Sequence, residues 1–84
     1  MEKTHWNELK SKRLKRTRGV SFREIINGEL VKIVDNPSRP NQKMMLINYK
    51  GYIWVIPFVK NDQGYFLKTL YQSRKYTKLY QKGI

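Results

Sequence analysis

The stretch KMMLINYKGYIWVIPF, residues Lys43–Phe58, decides the fold. It consists of two apolar runs rich in β-branched and aromatic side chains, and Lys50-Gly51 between them is typical of a short turn. The pattern therefore predicts a β-hairpin, with one strand over Lys43–Tyr49 and the other over Tyr52–Phe58.

The second strand of this hairpin carries large side chains on both faces. Tyr52, Trp54 and Phe58 share one face, where they could stack unpaired bases or fill a core. Because Trp54 lies in a continuous apolar run, we interpret it as a core residue. Pro57 has no backbone N–H to donate, so it predicts a strand end, a bulge or a sheet edge.

The hairpin is flanked by further strand signals. Leu30–Asp35 alternates in the manner of a strand, and Asn36–Gln42, with two prolines and two asparagines, predicts a loop. A turn at Asn61–Gly64 leads into Tyr65–Tyr71, which we expect to be the fourth strand. Consecutive strands of this kind pair in an antiparallel sheet.

Helices are predicted at both ends of the chain. Thr4–Thr17 contains good helix formers and neither Gly nor Pro, and Gly19 is suited to end that helix. A capping box of Ser21 and Glu24 begins a short second helix, and Ser73 caps a last helix that runs to residue 82. The order predicts one α+β domain, residues 1–84, with two N-terminal helices, a four-stranded mainly antiparallel sheet and a C-terminal helix. We expect the first helices to cover one face of the sheet.

The charge indicates a polyanionic partner. Eighteen Lys and Arg against six Asp and Glu give a net charge of +12, and seven of those cations lie within the first eighteen residues. Nucleic acid is the leading candidate, an acidic protein the second and an anionic membrane a distant third. The chain has no cysteine, no secretory signal and no apolar run long enough to span a bilayer, so we expect a cytoplasmic protein without membrane association.

Most enzyme chemistries lack the residues they need. The chain has one histidine, His5, no glycine-rich phosphate loop, and acids scattered at Glu2, Glu8, Glu24, Glu29, Asp35 and Asp62. We therefore predict no metal and no cofactor. One reaction remains available, since RNA is cleaved when its 2′-hydroxyl attacks the adjacent phosphate while cations stabilise the charge that develops.

Two segments carry a resemblance to a known family. Near the start stand Trp6 and Asn7, then Arg18–Phe22 with Glu24, and near the end stands QSRKYTK at Gln72–Lys78. Together with the order of helices and strands, these motifs resemble BrnT-type toxins of the RelE-like superfamily. The resemblance covers most of the chain, although short motifs carry it.

The resemblance implies a toxin of a type II toxin–antitoxin pair that halts translation as a metal-independent endoribonuclease. Its partners would be RNA, in particular mRNA free or on the ribosome, and a small acidic antitoxin whose complex binds operator DNA. Two alternatives stay open. The chain could be a non-catalytic RNA- or DNA-binding module, or a toxin of the same superfamily that acts on a protein such as gyrase.

The candidate site residues are cations. For catalysis we predict Arg74, whose planar fork suits phosphate, with Lys68 and Lys43. The backbone N–H groups beyond Ser73 would form a seat for phosphate. For RNA binding we predict Lys10, Lys12, Arg13, Lys15, Arg16, Arg18, Lys75 and Lys78. The alternative for every one of them is a solvated surface charge, and for His5 we favour no catalytic role.

Overall fold

The computed structural model describes residues 3–80. The predicted hairpin forms, and the residues at its turn, Lys50 and Gly51, have positive φ angles of 54° and 80°. Two positive φ angles in succession are typical of the tight turns that match the twist of paired strands. The elements in chain order are β1 Thr4–His5, α1 Glu8–Arg18, α2 Phe22–Ile25, β2 Glu29–Asp35, β3 Lys43–Tyr49, β4 Tyr52–Asn61, β5 Gly64–Leu67, β6 Tyr71–Gln72 and α3 Arg74–Tyr80.

The predicted α+β class is confirmed, but the prediction of four strands is wrong. Six strands form one mixed sheet in the order β1-β5-β4-β3-β2, with β6 beside β4. The pairing of β1 with β5 is parallel and the other pairings are antiparallel. The residues from Thr4 do not form one helix, because Thr4–His5 pairs with the sheet. Asn7 then begins α1, with its Oδ1 accepting a hydrogen bond from the N–H of Lys10 at 3.0 Å.

The predicted fourth strand is broken into β5 and β6, and Pro57 explains the break. Pro57 lies inside β4, opposite Met44 of β3, and its carbonyl accepts a hydrogen bond from the N–H of Lys68 at 2.8 Å. Because the N and C=O of one strand residue point to the same side, the missing N–H faces the interrupted neighbour. Beyond Lys68 the chain leaves the ladder, and Leu70 enters the core. Pro57 therefore marks a gap in the pairing, not the end of its own strand.

The helices cover both faces of the sheet. As predicted, α1 and α2 cover one face, and Trp54 is a core residue at 5% exposure. That core contains Leu14, Phe22, Ile25, Met45, Ile47, Trp54, Ile56, Phe58, Leu67 and Leu70. On the opposite face, Tyr76 of α3 packs against a smaller cluster of Met44, Leu46, Ile53 and Val55.

The predicted caps are confirmed. Gly19 ends α1 at φ 82°, and Ser21 and Glu24 exchange both hydrogen bonds of a capping box. Ser73 caps α3, because its Oγ accepts from the N–H of Tyr76 at 3.1 Å. The last two residues predicted for that helix lie outside the described part of the chain. Within residues 3–80, no helix is long and apolar enough to cross a membrane.

Candidate nucleic-acid interface

Helix α1 buries a narrow face against the rest of the protein, and its Lys and Arg side chains lie on the outer side. Ser11 and Leu14 are its buried residues, and the Ser11 Oγ accepts a hydrogen bond from the N–H of Phe22 at 3.0 Å. The preceding Trp6 packs against Phe22 with ring centroids 5.9 Å apart, so it anchors the start of the helix. The outer side of α1 is left for Lys and Arg.

Two of the α1 cations are used by the fold itself. Lys15 Nζ lies 2.9 Å from a carboxylate oxygen of Glu24, and Arg18 Nη1 donates to the backbone carbonyl of Leu70 at 2.7 Å. The hydrogen bond from Lys15, together with one from the N–H of Ser21, holds the pKa of Glu24 at about 2. Lys15 and Arg18 therefore have structural roles and are less available to RNA than predicted.

The remaining α1 cations form an uncompensated surface. Among the described residues, none of them has a carboxylate within ion-pair distance. These residues are Lys10, Lys12, Arg13 and Arg16, and together they line a groove on the outer side of the helix. With no acid to neutralise them, they favour contact with a polyanion.

A cleft of about 450 Å³ brings α1 together with the broken part of the sheet. Three cations line it, Lys10 from α1, Arg39 from the loop after β2 and Lys68 from the β5–β6 break. Tyr71 and Thr69 line it too, along with Asn36, Ser38, Gln42 and Pro57. No carboxylate lines the cleft within the part of the chain that the structure describes. We call this the cationic cleft.

The charges around the cationic cleft act on Lys10. Partial burial, and then the charges of Arg13, Lys68 and Arg18, lower the pKa of Lys10 below its ordinary value. Neighbouring cations disfavour the protonated amine, whereas a bound phosphate would restore it. The cleft is therefore a place where added negative charge relieves repulsion.

Tyr71 contributes a neutral phenol to the cleft. Its hydroxyl donates a weak hydrogen bond to the Met44 sulfur at 3.9 Å, and the residue is 38% exposed. Burial is the main cause that raises the pKa of Tyr71, with a smaller contribution from Tyr76. At neutral pH the phenol keeps its proton, so it can donate a hydrogen bond and does not repel phosphate.

The three predicted catalytic residues are not brought together. Lys68 lines the cationic cleft, with its Nζ 5.4 Å from the ring centre of Phe66. Lys43 lies 2.7 Å from Asp35, whose pKa it lowers, and it lines a different hollow. Arg74 is exposed at the start of α3 and does not line the cleft.

The other residues predicted near the C-terminus also lie apart from the cleft. Lys75 Nζ stands 5.5 Å from the ring centre of Tyr76, and Lys78 is exposed in the last turn of α3. The Ser73 side chain occupies one of the backbone donors that would have formed a phosphate seat. Thr77 is structural, since its hydroxyl accepts from the N–H of Ile53 at 2.9 Å.

Arg39 is the one of the three cleft cations that the sequence did not single out. It lies in the loop Asn36–Gln42, whose ends are joined by a hydrogen bond from the Asn36 N–H to the Gln42 carbonyl at 3.3 Å. Inside the loop, the Arg39 N–H donates to the Asn36 carbonyl at 3.2 Å and the Gln42 N–H donates to the Arg39 carbonyl at 2.9 Å. The signal was a lone Arg between two prolines in an otherwise polar loop. Nothing in the local pattern shows that this loop folds back beside α1.

His5 lies away from the cleft. Its ring meets Phe66 edge-on with centroids 5.2 Å apart, and its buried Nε2 has no hydrogen-bond partner among the described residues. Within residues 3–80, no three His, Cys, Asp or Glu side chains are grouped in a way that could hold a metal ion.

Comparison with known proteins gives no relative. No family model matches the chain, and neither a curated protein nor a solved structure matches it significantly. The likeness to BrnT-type toxins therefore stays a prediction from short motifs.

Proposed function

We propose that this protein is a toxin that binds single-stranded RNA in the cationic cleft and cleaves it there without a metal. The observation that carries the proposal is that Lys10 and Lys68, far apart in the sequence, line one cleft with Arg39 and Tyr71. Cations from three separate elements converge where no described carboxylate offsets them. A phosphodiester supplies the missing charge.

The cleft holds the functional groups that RNA transesterification needs. In that reaction the 2′-oxygen attacks the phosphorus, the bond to the 5′-oxygen breaks, and a 2′,3′-cyclic phosphate and a 5′-hydroxyl result. Lys68 and Arg39 would stabilise the phosphorane charge. Lys10 would add a third positive charge beside the phosphate, and the proton of the 2′-hydroxyl would pass to solvent water. Tyr71, which keeps its proton at neutral pH, would donate that proton to the leaving oxygen.

This assignment changes the roles predicted from the sequence. Lys68 keeps its role at the phosphate, and Lys10 moves from backbone binding to the reacting centre. Arg74 and Lys43 lie outside the cleft lining, so we propose at most a peripheral contact with RNA for each. Lys12, Arg13 and Arg16 would hold the strand as it leaves the cleft along α1.

A non-catalytic RNA-binding module is the second candidate. The observation that favours it is that neither histidine nor carboxylate lines the cleft among the described residues, so the cleft lacks the side chains that most often act as a base at neutral pH. A binding module needs only the cations, which are equally present. The two candidates differ in whether RNA is cut.

Incubation of purified protein with RNA in EDTA separates these candidates. The toxin proposal predicts fragments ending in 2′,3′-cyclic phosphate, and Lys68→Ala should slow cleavage by about 100-fold, the effect of removing one donor to a developing anion. Lys32→Ala, a single-cation control on β2 outside the cleft, should cut at the rate of the unmodified protein. Intact RNA together with tight binding would favour the binding module.

Expression in cells tests the toxin itself. Induction should stop growth and shorten mRNA, and Lys68→Ala should relieve both effects. Growth arrest with intact mRNA and continued translation would contradict the proposal and favour action on a protein target. A neighbouring gene for a small acidic protein that restores growth is the expected antitoxin.

A further inference from the structure

The cationic cleft contains neutral hydrogen-bonding groups as well as cations. Asn36 and Gln42 stand at the two ends of the loop Asn36–Gln42, and both line the cleft beside Lys10 and Lys68. Both amide residues are half-buried. Amide side chains can read the edge of a nucleobase, whereas contacts from cations to phosphate carry no sequence information. The two amides are therefore the groups through which the cleft can distinguish one base from another.

The orientation of the Asn36 amide is set by the backbone. Its Oδ1 accepts a hydrogen bond from the N–H of Ser38 at 3.0 Å. An amide nitrogen in that place would set two donors face to face, so Nδ2 lies on the other side of the group. From there Nδ2 donates a long hydrogen bond to the Oε1 of Gln42 at 3.4 Å. The oxygen of each amide therefore already accepts a hydrogen bond, and the Gln42 Nε2 is a donor without a partner among the described residues.

The backbone around the cleft adds few acceptors. Four carbonyl oxygens of residues that line the cleft already accept backbone hydrogen bonds, namely those of Asn36, Arg39, Gln42 and Pro57. The cations of the cleft can only donate. The hydroxyls of Ser38 and Thr69 can donate or accept, so they favour neither kind of base edge. The cleft therefore presents mainly hydrogen-bond donors to the group that enters it.

We propose that the cationic cleft selects a nucleotide whose base carries a keto oxygen, uracil or guanine, over cytosine and adenine. The O4 of uracil and the O6 of guanine are acceptors, and amino donors replace them in cytosine and adenine. The Gln42 Nε2 would donate to the keto oxygen, while Arg39 of the same loop contacts the phosphate. Opposite an amino group, the same Nε2 would stay unpaired. This selection rests on the proposed function, because it acts on RNA in the same cleft.

The size of the cleft and the place of the keto oxygen favour an unpaired base. The cleft has a volume of about 450 Å³, which is in the range of sites for one small ligand. In double-stranded RNA the keto oxygens face a deep, narrow major groove that side chains cannot read. The selected nucleotide therefore belongs to a single-stranded segment.

The test compares two uncleavable 2′-O-methyl RNAs of equal charge, each about eight nucleotides long, one of uridine and one of cytidine. Fluorescence anisotropy with the full-length protein should show that the uridine RNA binds about tenfold tighter, an effect typical of hydrogen bonds to a base edge. The purines are compared in the cytidine RNA with one guanosine or one adenosine at its centre. The guanosine RNA should bind about tenfold tighter than the adenosine RNA.

Two protein variants locate the group that reads the base. Gln42→Met keeps the length of the side chain and the backbone hydrogen bonds of the loop but removes the amide, so the uridine and cytidine affinities should come within about twofold of each other. Gln63→Met makes the same change between β4 and β5, outside the cleft lining, and should leave the tenfold ratio unchanged. If Gln42→Met lowers the thermal midpoint, Gln42→Glu replaces it. That variant puts an acceptor in place of the donor, so the ratio should shift towards cytidine whatever the overall loss of affinity.

The outcomes separate the selection of keto bases from the proposed function. Equal affinity for the uridine and cytidine RNAs, both weakened by Lys68→Ala, would overturn the selection and leave RNA binding in the cleft standing. Binding of neither RNA would overturn both. A preference for uridine that persists undiminished in Gln42→Met would mean that another group reads the base, and it would overturn the role given to Gln42.

Discussion

The salt dependence of RNA binding can be calculated from the number of cations that the structure places at the interface. Six cations line the cationic cleft or the outer groove of α1, and none has a described carboxylate partner: Lys10, Lys12, Arg13, Arg16, Arg39 and Lys68. Each phosphate neutralised on a single strand contributes about −0.7 to the slope of log affinity against log salt, so six give about −4. Affinity should fall about 300-fold between about 50 and 200 mM salt.

The perturbation is the removal of one cleft cation. Lys68→Ala should make the slope shallower by about 0.7, because one phosphate contact is lost. Lys32→Ala removes the same charge from the edge strand β2 and should leave the slope unchanged within error. Fluorescence anisotropy with a labelled 2′-O-methyl RNA, which lacks the attacking hydroxyl, measures binding without cleavage.

The comparison of the two variants decides the outcome. If Lys68→Ala and Lys32→Ala change the slope equally, the net charge of the protein sets the salt dependence of RNA binding, and the cationic cleft has no special part in it. If Lys68→Ala leaves the slope unchanged, RNA does not contact the β5–β6 break. Either result would refute the placement of RNA in the cationic cleft.

Three further predictions concern the fold that builds the site. Because the folded-state pKa of Glu24 is depressed to about 2, the stability from its pairing with Lys15 should be lost as the pH falls from about 4.5 towards 2. Glu24→Gln should remove this fall from a plot of the thermal midpoint against pH. Ser11→Ala leaves the buried N–H of Phe22 without its acceptor, so urea unfolding should show a loss of about 1–3 kcal/mol, and no loss would mean that water replaces the hydroxyl. Gly64→Ala should release β1 from the sheet, since Gly64 has φ 117° and a Cβ there would meet the backbone just before β1. Hydrogen exchange of the β1 and β5 amides should then accelerate, and unchanged exchange would contradict this prediction.

Local signals were enough to predict the centre of the fold. The hairpin of β3 and β4, the Gly19 cap and the capping box of Ser21 follow from side-chain period and turn chemistry. Each depends on residues close together in the sequence. Trp54 was correctly placed in the core because the apolar run around it left no exposed face.

The errors come from contacts between distant residues. Thr4–His5 has helix-compatible residues, but its pairing with β5 outweighs local propensity. The break after Leu67 depends on Pro57 in the neighbouring strand, which no reading of the β5 residues alone reveals. The strands β1 and β6 have two residues each, which is too few to show the alternation of apolar and polar side chains that identifies a strand.

The candidate site was predicted only in part for the same reason. The excess of cations is plain from composition, and Lys68 and Lys10 were both named. Their convergence with Arg39 depends on the loop Asn36–Gln42 lying beside α1 in the fold. The ion pair of Lys43 with Asp35 is a cross-strand contact, so its neutralisation could not be seen before the register of β2 on β3 was known.

The most direct test of the central claim is to map where RNA binds. Nitrogen-15 amide shifts should be followed as an uncleavable 2′-O-methyl RNA is added to the full-length protein. The cationic cleft predicts the largest shifts at Lys10, Arg39, Lys68 and Thr69, with smaller ones along the rest of α1. Shifts centred on Arg74 to Lys78, with the cleft amides unmoved, would contradict it.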